Sequence, residues 1–317
     1  MRPVTAASWG RGGAVFAALA ALPFLFSAHW VVNLLVFTVM YAALASAWNL
    51  FSGFSGYISL GHVAFFGVGA YALGIVFEHA TIGSGYRPFV ALPLIGLAVG
   101  IASIPVAWIA LRTRAMTFAI VTLTLLFIVQ QLAFNLRGLT HGSQGISFAP
   151  PPFPLASFER PFYFAMVGVL ALSLLLTRWL MASRLGLMLF AVRDDEEKAR
   201  GIGVDVTATK LVAFAASIAL TAMAGGVWAY YIAFVYPEYA VDPLVQVGSV
   251  LMVFLGGRGT LWGPVLGAFV LVPAQQYLAY RYGASELYLV GYSAVFVVVM
   301  LLLPRGVLPS LRSLAAR

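Results

Sequence analysis

Charged residues make up 9% of this 317-residue chain and gather in a few short stretches, leaving long apolar runs almost free of them. A water-soluble domain carries roughly 25% charged residues. Crossing the roughly 30 Å of bilayer hydrocarbon takes about 20 apolar residues in a helix. A backbone in hydrocarbon must also satisfy its own hydrogen bonds, so such runs fold as α-helices. With 62% apolar residues and a mean hydropathy of +0.98, the chain is expected to be an all-α, polytopic membrane protein, a single transmembrane domain over 1–317. The same figures exclude an ordinary cytosolic enzyme, a disordered chain and a nucleic-acid-binding domain.

Ten apolar segments can be read, at 13–28, 30–51, 57–78, 88–111, 115–136, 161–182, 210–235, 243–256, 261–280 and 284–303. The first follows Arg2 and Arg11 as the apolar part of a signal peptide would, but with so many spans behind it, it reads as an uncleaved first helix. The connections are short, with two exceptions. Residues 137–160 include Pro150, Pro151, Pro152 and Pro154, which bar a helix and favour an extended chain. Residues 183–209 form the only long charged stretch. Starting inside and alternating, fourteen Lys and Arg residues fall inside and only four, Arg87, Arg137, Arg160 and Arg281, fall outside. Cytoplasmic loops carry the positive excess, so both termini are expected in the cytoplasm, with about ten transmembrane helices between them. The net charge of +8 then reflects loop topology.

Acidic residues lie at span ends, as Glu78 and Glu286 do, or beside an outer loop, as Glu238 and Asp242 do. Ion-coupled carriers ordinarily keep polar relays, often carboxylates, within the membrane, so the energy for any transport is expected from elsewhere. An ion-coupled secondary transporter acting alone stays as the alternative. There is no G-x-x-x-x-G-K-[ST] phosphate loop, no H-E-x-x-H, no G-x-S-x-G and no cysteine. No catalytic residue, cofactor or metal site is therefore expected.

Within the charged stretch, Leu185, Met188, Leu189 and Val192 share one helical face. Asp194 with Lys198, and Glu196 with Arg200, are i,i+4 acid–base pairs that favour a helix in water. Gly201 and Gly203 permit the left-handed geometry that ends one. A short amphipathic helix is expected over 183–206; composition fits either a solvated connector or a docking helix for a soluble partner. Two glycine-rich blocks stand out besides, residues 53–71 and 256–268. Glycine in a span allows close helix approach, or a local break whose freed backbone groups meet a polar ligand. One such block in each half fits an internal repeat with a pathway at its interface.

Ser183, Gly186, Ala191, Arg193, Glu196, Ala199 and Gly203 match the cytoplasmic coupling loop of ABC-importer permeases. Together with the two glycine blocks and with Lys210, Phe214 and Pro237, they extend the likeness over about residues 40–270. The chain as a whole resembles the branched-chain amino-acid ABC-transporter permeases of the LivM type. It departs at Leu187 and Phe190, where the loop pattern often has a basic residue, and at Gly201, which replaces the more usual alanine.

The resemblance implies a multi-pass subunit of a bacterial cytoplasmic (inner) membrane importer, embedded in the lipid bilayer. Its partners would be a second related permease, two cytoplasmic ATP-binding subunits and an extracytoplasmic solute-binding protein. Its substrate would be a branched-chain amino acid or a related small polar molecule such as urea, a short amide or an aromatic acid. Gly186, Ala191, Arg193, Glu196, Ala199 and Gly203 would form the ATPase-coupling loop. For a zwitterionic solute, the hydroxyls of Ser55, Ser59 and Thr260, with His62, are candidate pathway groups, and Phe65 a candidate for the aliphatic tail. Each of these has a plainer alternative in helix packing.

Overall fold

The computed structural model describes residues 6–26, 28–79 and 83–282, together with positions 294, 298, 306–308 and 310. Its helices are α1 (Ala6–Leu25), α2 (His29–Trp48), α3 (His62–His79), α4 (Arg87–Ala110), α5 (Ala115–Asn135), a single turn α6 (Arg137–Thr140), α7 (Glu159–Ala182), α8 (Arg184–Asp194), α9 (Glu196–Gly201), α10 (Val206–Ile232), a single turn α11 (Pro237–Ala240), α12 (Pro243–Gly256) and α13 (Gly263–Tyr282). Among the described residues, seven helical segments are long and apolar enough to cross a membrane: His29–Gly53, His62–His79, Arg87–Ala110, Ala115–Asn135, Leu155–Ala182, Val206–Ile232 and Pro237–Gly256. The apolar part of α1 is shorter, Val15–Leu25. Helix α13 carries Gln275, Gln276 and Arg281 in its second half and is not among the seven. The segment expected at 284–303 lies, but for two positions, outside the described residues.

The loops gather at two ends. At one end, Arg193 Nη1 donates to Gly53 O at 3.2 Å, Lys210 Nζ to Leu111 O at 3.4 Å and Asn49 Nδ2 to Thr260 O at 3.0 Å. This end holds α8 and α9. At the other, Ile146 and Ser147 pair antiparallel with Val235 and Phe234 as a two-stranded ribbon, and Gly85 N donates to the Tyr230 hydroxyl at 2.8 Å. The proline run forms no helix, as expected, but it is not simply extended: Phe153 N donates to Pro151 O at 2.8 Å and tightens the chain at Pro152, with Phe153 packed on Tyr86 and Phe162.

Helix α10 is the centre of the bundle, packing on α2, α3, α4 and α7. Its most apolar window is 67% buried, against 22% for α5 at the periphery. A helix apolar on every side belongs inside. Small residues let it sit there: a Cβ on Gly69 of α3 would strike the backbone of Ala222, and one on Gly225 of α10 the backbone of Phe66. Lipid gives helices no hydrophobic drive to associate, so such close approach does the holding. Gly225→Val is expected to cost at least the roughly 1–3 kcal/mol of an overpacked core, while Gly168→Ala, inside α7 with its added carbon meeting nothing within 4 Å, costs no stability and gains up to about 1 kcal/mol from helix propensity. Thermal unfolding of the two purified variants beside the parent chain checks this.

Candidate functional site

Helix α2 does not end cleanly. It widens into a π-helical turn, Asn49–Gly53, and regular helix resumes only at His62. The apolar segment read from residue 57 therefore begins five residues late as a helix. Gly56 has φ +83°, in the left-handed region that side chains resist, and a Cβ there would press on Arg193 Cγ at 3.2 Å. Residues 56–61 leave backbone groups that neither helix satisfies, at positions that are buried or half-buried. Side chains take over. Ser55 Oγ accepts from Tyr57 N at 3.2 Å, Ser52 Oγ from Ser59 N at 3.2 Å, and Thr122 Oγ1 from Leu60 N at 3.0 Å. Trp48 Nε1 donates to Ser59 O at 2.7 Å, and Gln246 Oε1 accepts from Val63 N at 3.0 Å. His62 bridges Ser59 Oγ at 2.8 Å and Ser217 Oγ at 3.0 Å.

The charged stretch folds as two helices rather than one. Asp195 is extended between them (φ −162°, ψ 108°) and caps α9, its carboxylate accepting from Glu197 N and Lys198 N. This break redirects one expected pair: Lys198 Nζ meets Asp195 at 3.0 Å, an i,i+3 partner, while Arg200 does reach Glu196, at 2.7 Å. Gly203, with φ +88°, takes the left-handed turn, and Gly201 is the last residue of α9. Leu189 and Val192 are buried and Leu185 and Met188 half-buried, so the expected apolar face points into the protein.

Glu196 is the knot between these parts. The Tyr57 hydroxyl donates to Glu196 Oε2. Lys210 Nζ, from a side chain 1% exposed, reaches Glu196 Oε1 at 3.2 Å and Tyr57 OH at 3.2 Å. Burial works to raise the Glu196 carboxyl, but the Tyr57 hydrogen bond and the charges of Lys210 and Arg200 outweigh it and hold it below its ordinary value. Burial and the same carboxylate push the Tyr57 phenol above its own. Beside the knot, Arg193 grips Gly53 O, and Asn49 clamps the 257–262 loop by accepting from Gly259 N at 2.9 Å. The two glycine blocks thus meet at Asn49, and α8 and α9 lie against the first.

Among the coupling candidates, Arg193 and Glu196 hold the interrupted segment, Ala199 is buried, and a Cβ on Gly186 would strike the Leu180 carbonyl. Ala191 packs against the small cluster of Val192, Ala199 and Val206. Of the pathway candidates, Ser55, Ser59 and His62 are buried and bonded within the protein, Phe65 packs on Phe214, and Thr260 Oγ1 accepts from Gly263 N at 3.1 Å. Ser52, Thr122, Ser217 and Gln246 belong to the same network and escaped the sequence reading; their only signal was polarity inside apolar runs. A cavity of about 370 Å3 lies toward the other end, walled by α2, α3, α10, α12 and α13 and by the 233–242 connection, and none of the five pathway candidates lines it.

This is a multi-pass, all-α integral membrane protein whose interrupted helix is clasped by a charged pair of helices at one end. Residues 30–303 match the family described as branched-chain amino acid transport system, permease component, and the chain belongs to that family. It is 30% identical to the high-affinity branched-chain amino acid transport system permease protein LivM of Salmonella typhimurium and, to the same degree, to that of Escherichia coli, over 92% of this chain and 73% of each relative. Over 129 residues it is 37% identical to the autoinducer 2 import system permease protein LsrC of Klebsiella pneumoniae, covering 38% of this chain and 37% of that one. These relatives are transport permeases rather than enzymes. No solved structure matches the chain.

Removing the Glu196 carboxylate leaves Lys210 buried and unpaired, so Glu196→Ala is expected to destabilise by about 3 kcal/mol, the low end for a broken buried pair, because Glu196 is partly exposed. A carboxyl depressed on folding stabilises above its unfolded value of 4.5, and that contribution is lost as pH falls through the lower folded value. Thermal unfolding followed from pH 7 to pH 3 should lose stability over the acid part of that range, and Glu196→Gln should flatten the loss.

Proposed function

We propose that the chain is a permease subunit of an ATP-driven ABC importer for branched-chain amino acids or related small polar solutes. It would form the translocation pathway with a second, related permease. Two cytoplasmic ATP-binding subunits would dock on α8 and α9, and a solute-binding protein would deliver substrate to the opposite end. This reading puts the protein in the bacterial inner membrane with both termini and the 183–206 segment in the cytoplasm, as the positive charge of the inner loops requires. The observation that carries it is the attachment of α8 and α9 to the interrupted segment through Arg193, Glu196, Tyr57 and Lys210. A push on α8 and α9 would be delivered to a place where a membrane helix is already broken, and would swing α2 and α3 about it. Ser55, Ser59 and His62 would serve this pathway by keeping the break hydrogen-bonded while it bends, with Phe65 and Thr260 packing around it. The similarity to LivM and LsrC supports an import role.

Glu196→Lys and Gly203→Pro should each lower ATP-driven uptake at least tenfold in the assembled transporter while membrane insertion stays at the parent level. Uptake assays paired with quantification of the inserted protein check both halves. Unchanged uptake in both variants would remove the coupling role.

A further inference from the structure

We infer that the cavity opposite the coupling end is a binding station for an ammonium group carried on an apolar body, with Asp242 as the group that recognises the charge. As a step in transport it rests on the permease reading above; as a binding site it stands on its own geometry. The cavity, about 370 Å3, falls within the range of small-molecule pockets. Among the described residues, half of its lining side chains are aromatic, including Phe37, Phe66 and Trp228, and no Lys or Arg lines it. Aromatic faces attract cations as well as apolar groups, tryptophan most strongly.

Asp242 is the only acidic lining residue among the described residues, and it is half-buried. One carboxylate oxygen, Oδ1, accepts from Leu244 N at 2.7 Å and caps α12. No basic side chain pairs with the carboxylate among the described residues. A carboxylate in an apolar wall is costly without a counter-charge, and a bound ammonium supplies one. Gln275 and Gln276 of α13 offer neutral amide donors to a carboxylate on the same solute. The station therefore requires the ammonium and only tolerates the carboxylate. It favours zwitterions and amines with an aliphatic or aromatic side chain, and rejects anions of the same shape.

The test uses the full chain in lipid nanodiscs and the fluorescence signal that disappears in Trp228→Phe. The probes are L-leucine, L-leucinamide, which keeps the ammonium and lacks the carboxylate, and 4-methylpentanoate, which has the reverse. Leucine and leucinamide should saturate the signal and 4-methylpentanoate should not. Asp242→Asn keeps an oxygen to cap α12 and removes only the charge, so it should weaken leucine and leucinamide at least tenfold. Equal binding of 4-methylpentanoate, unaltered affinity in Asp242→Asn, or a signal that responds only to lipid composition would overturn the proposal, the last marking an acyl-chain groove. Binding is read on the chain alone, so a failure of ATP-driven uptake with binding intact would count against the permease reading and leave the site standing.

Discussion

A helix that breaks in apolar surroundings strands amides and carbonyls where water cannot reach them, and each must find a partner. The architecture of the charged end follows from that requirement. Residues 54–61 are buried or half-buried throughout, and Ser52, Ser55, Ser59, Thr122, Trp48 and Gln246 stand in for the missing helical hydrogen bonds. These partners come from α2, the break itself, α5 and α12, so the interruption ties four parts of the bundle together. A regular helix through the same residues would have needed none of them. The break is thus a maintained feature, with Gly56 supplying the one backbone angle that other residues resist.

The charged end adds a handle to this break. Arg193 and Glu196 lie two and one residues from the extended Asp195, where α8 gives way to α9, and both reach the interrupted segment. Two short helices with a kink present those side chains side by side, which one straight helix would not. At the opposite end the chemistry changes: aromatic rings and a single carboxylate surround open space. Central α10 joins the two, carrying Lys210 at the knot, Ser217 at the break and Trp228 at the cavity.

Seven of the ten expected spans, those from 30–51 to 243–256, were legible because helix formation in hydrocarbon is local. The segment 243–256 coincides with α12, and 115–136 differs from α5 by one residue. The break was not legible at its true extent. Gly56 and Gly69 lie in one glycine-rich block, yet one turns the chain and the other admits α10, and composition does not separate these uses. The choice of Asp195 over Asp194 as partner to Lys198 followed from a cap, which two adjacent acids conceal. The contacts that matter most span long stretches of chain, as between Gly53 and Arg193, Tyr57 and Lys210, or His62 and Ser217. No periodicity reports such pairings. The cavity likewise draws on five long helices, α2, α3, α10, α12 and α13, and has no signature in any of them.

The central claim is that the α8–α9 pair and the interrupted segment move as one body. Phe54 and Phe190 meet edge to face across that junction with ring centroids 5.5 Å apart, and the chain has no cysteine of its own. Cysteines placed at these two positions and joined by a short thiol cross-linker should leave ATP-driven uptake of the assembled transporter at the level of the uncrosslinked double variant. Uptake that falls on tethering and returns when the linker is cleaved would show that the two parts must separate during the cycle, and would contradict the account.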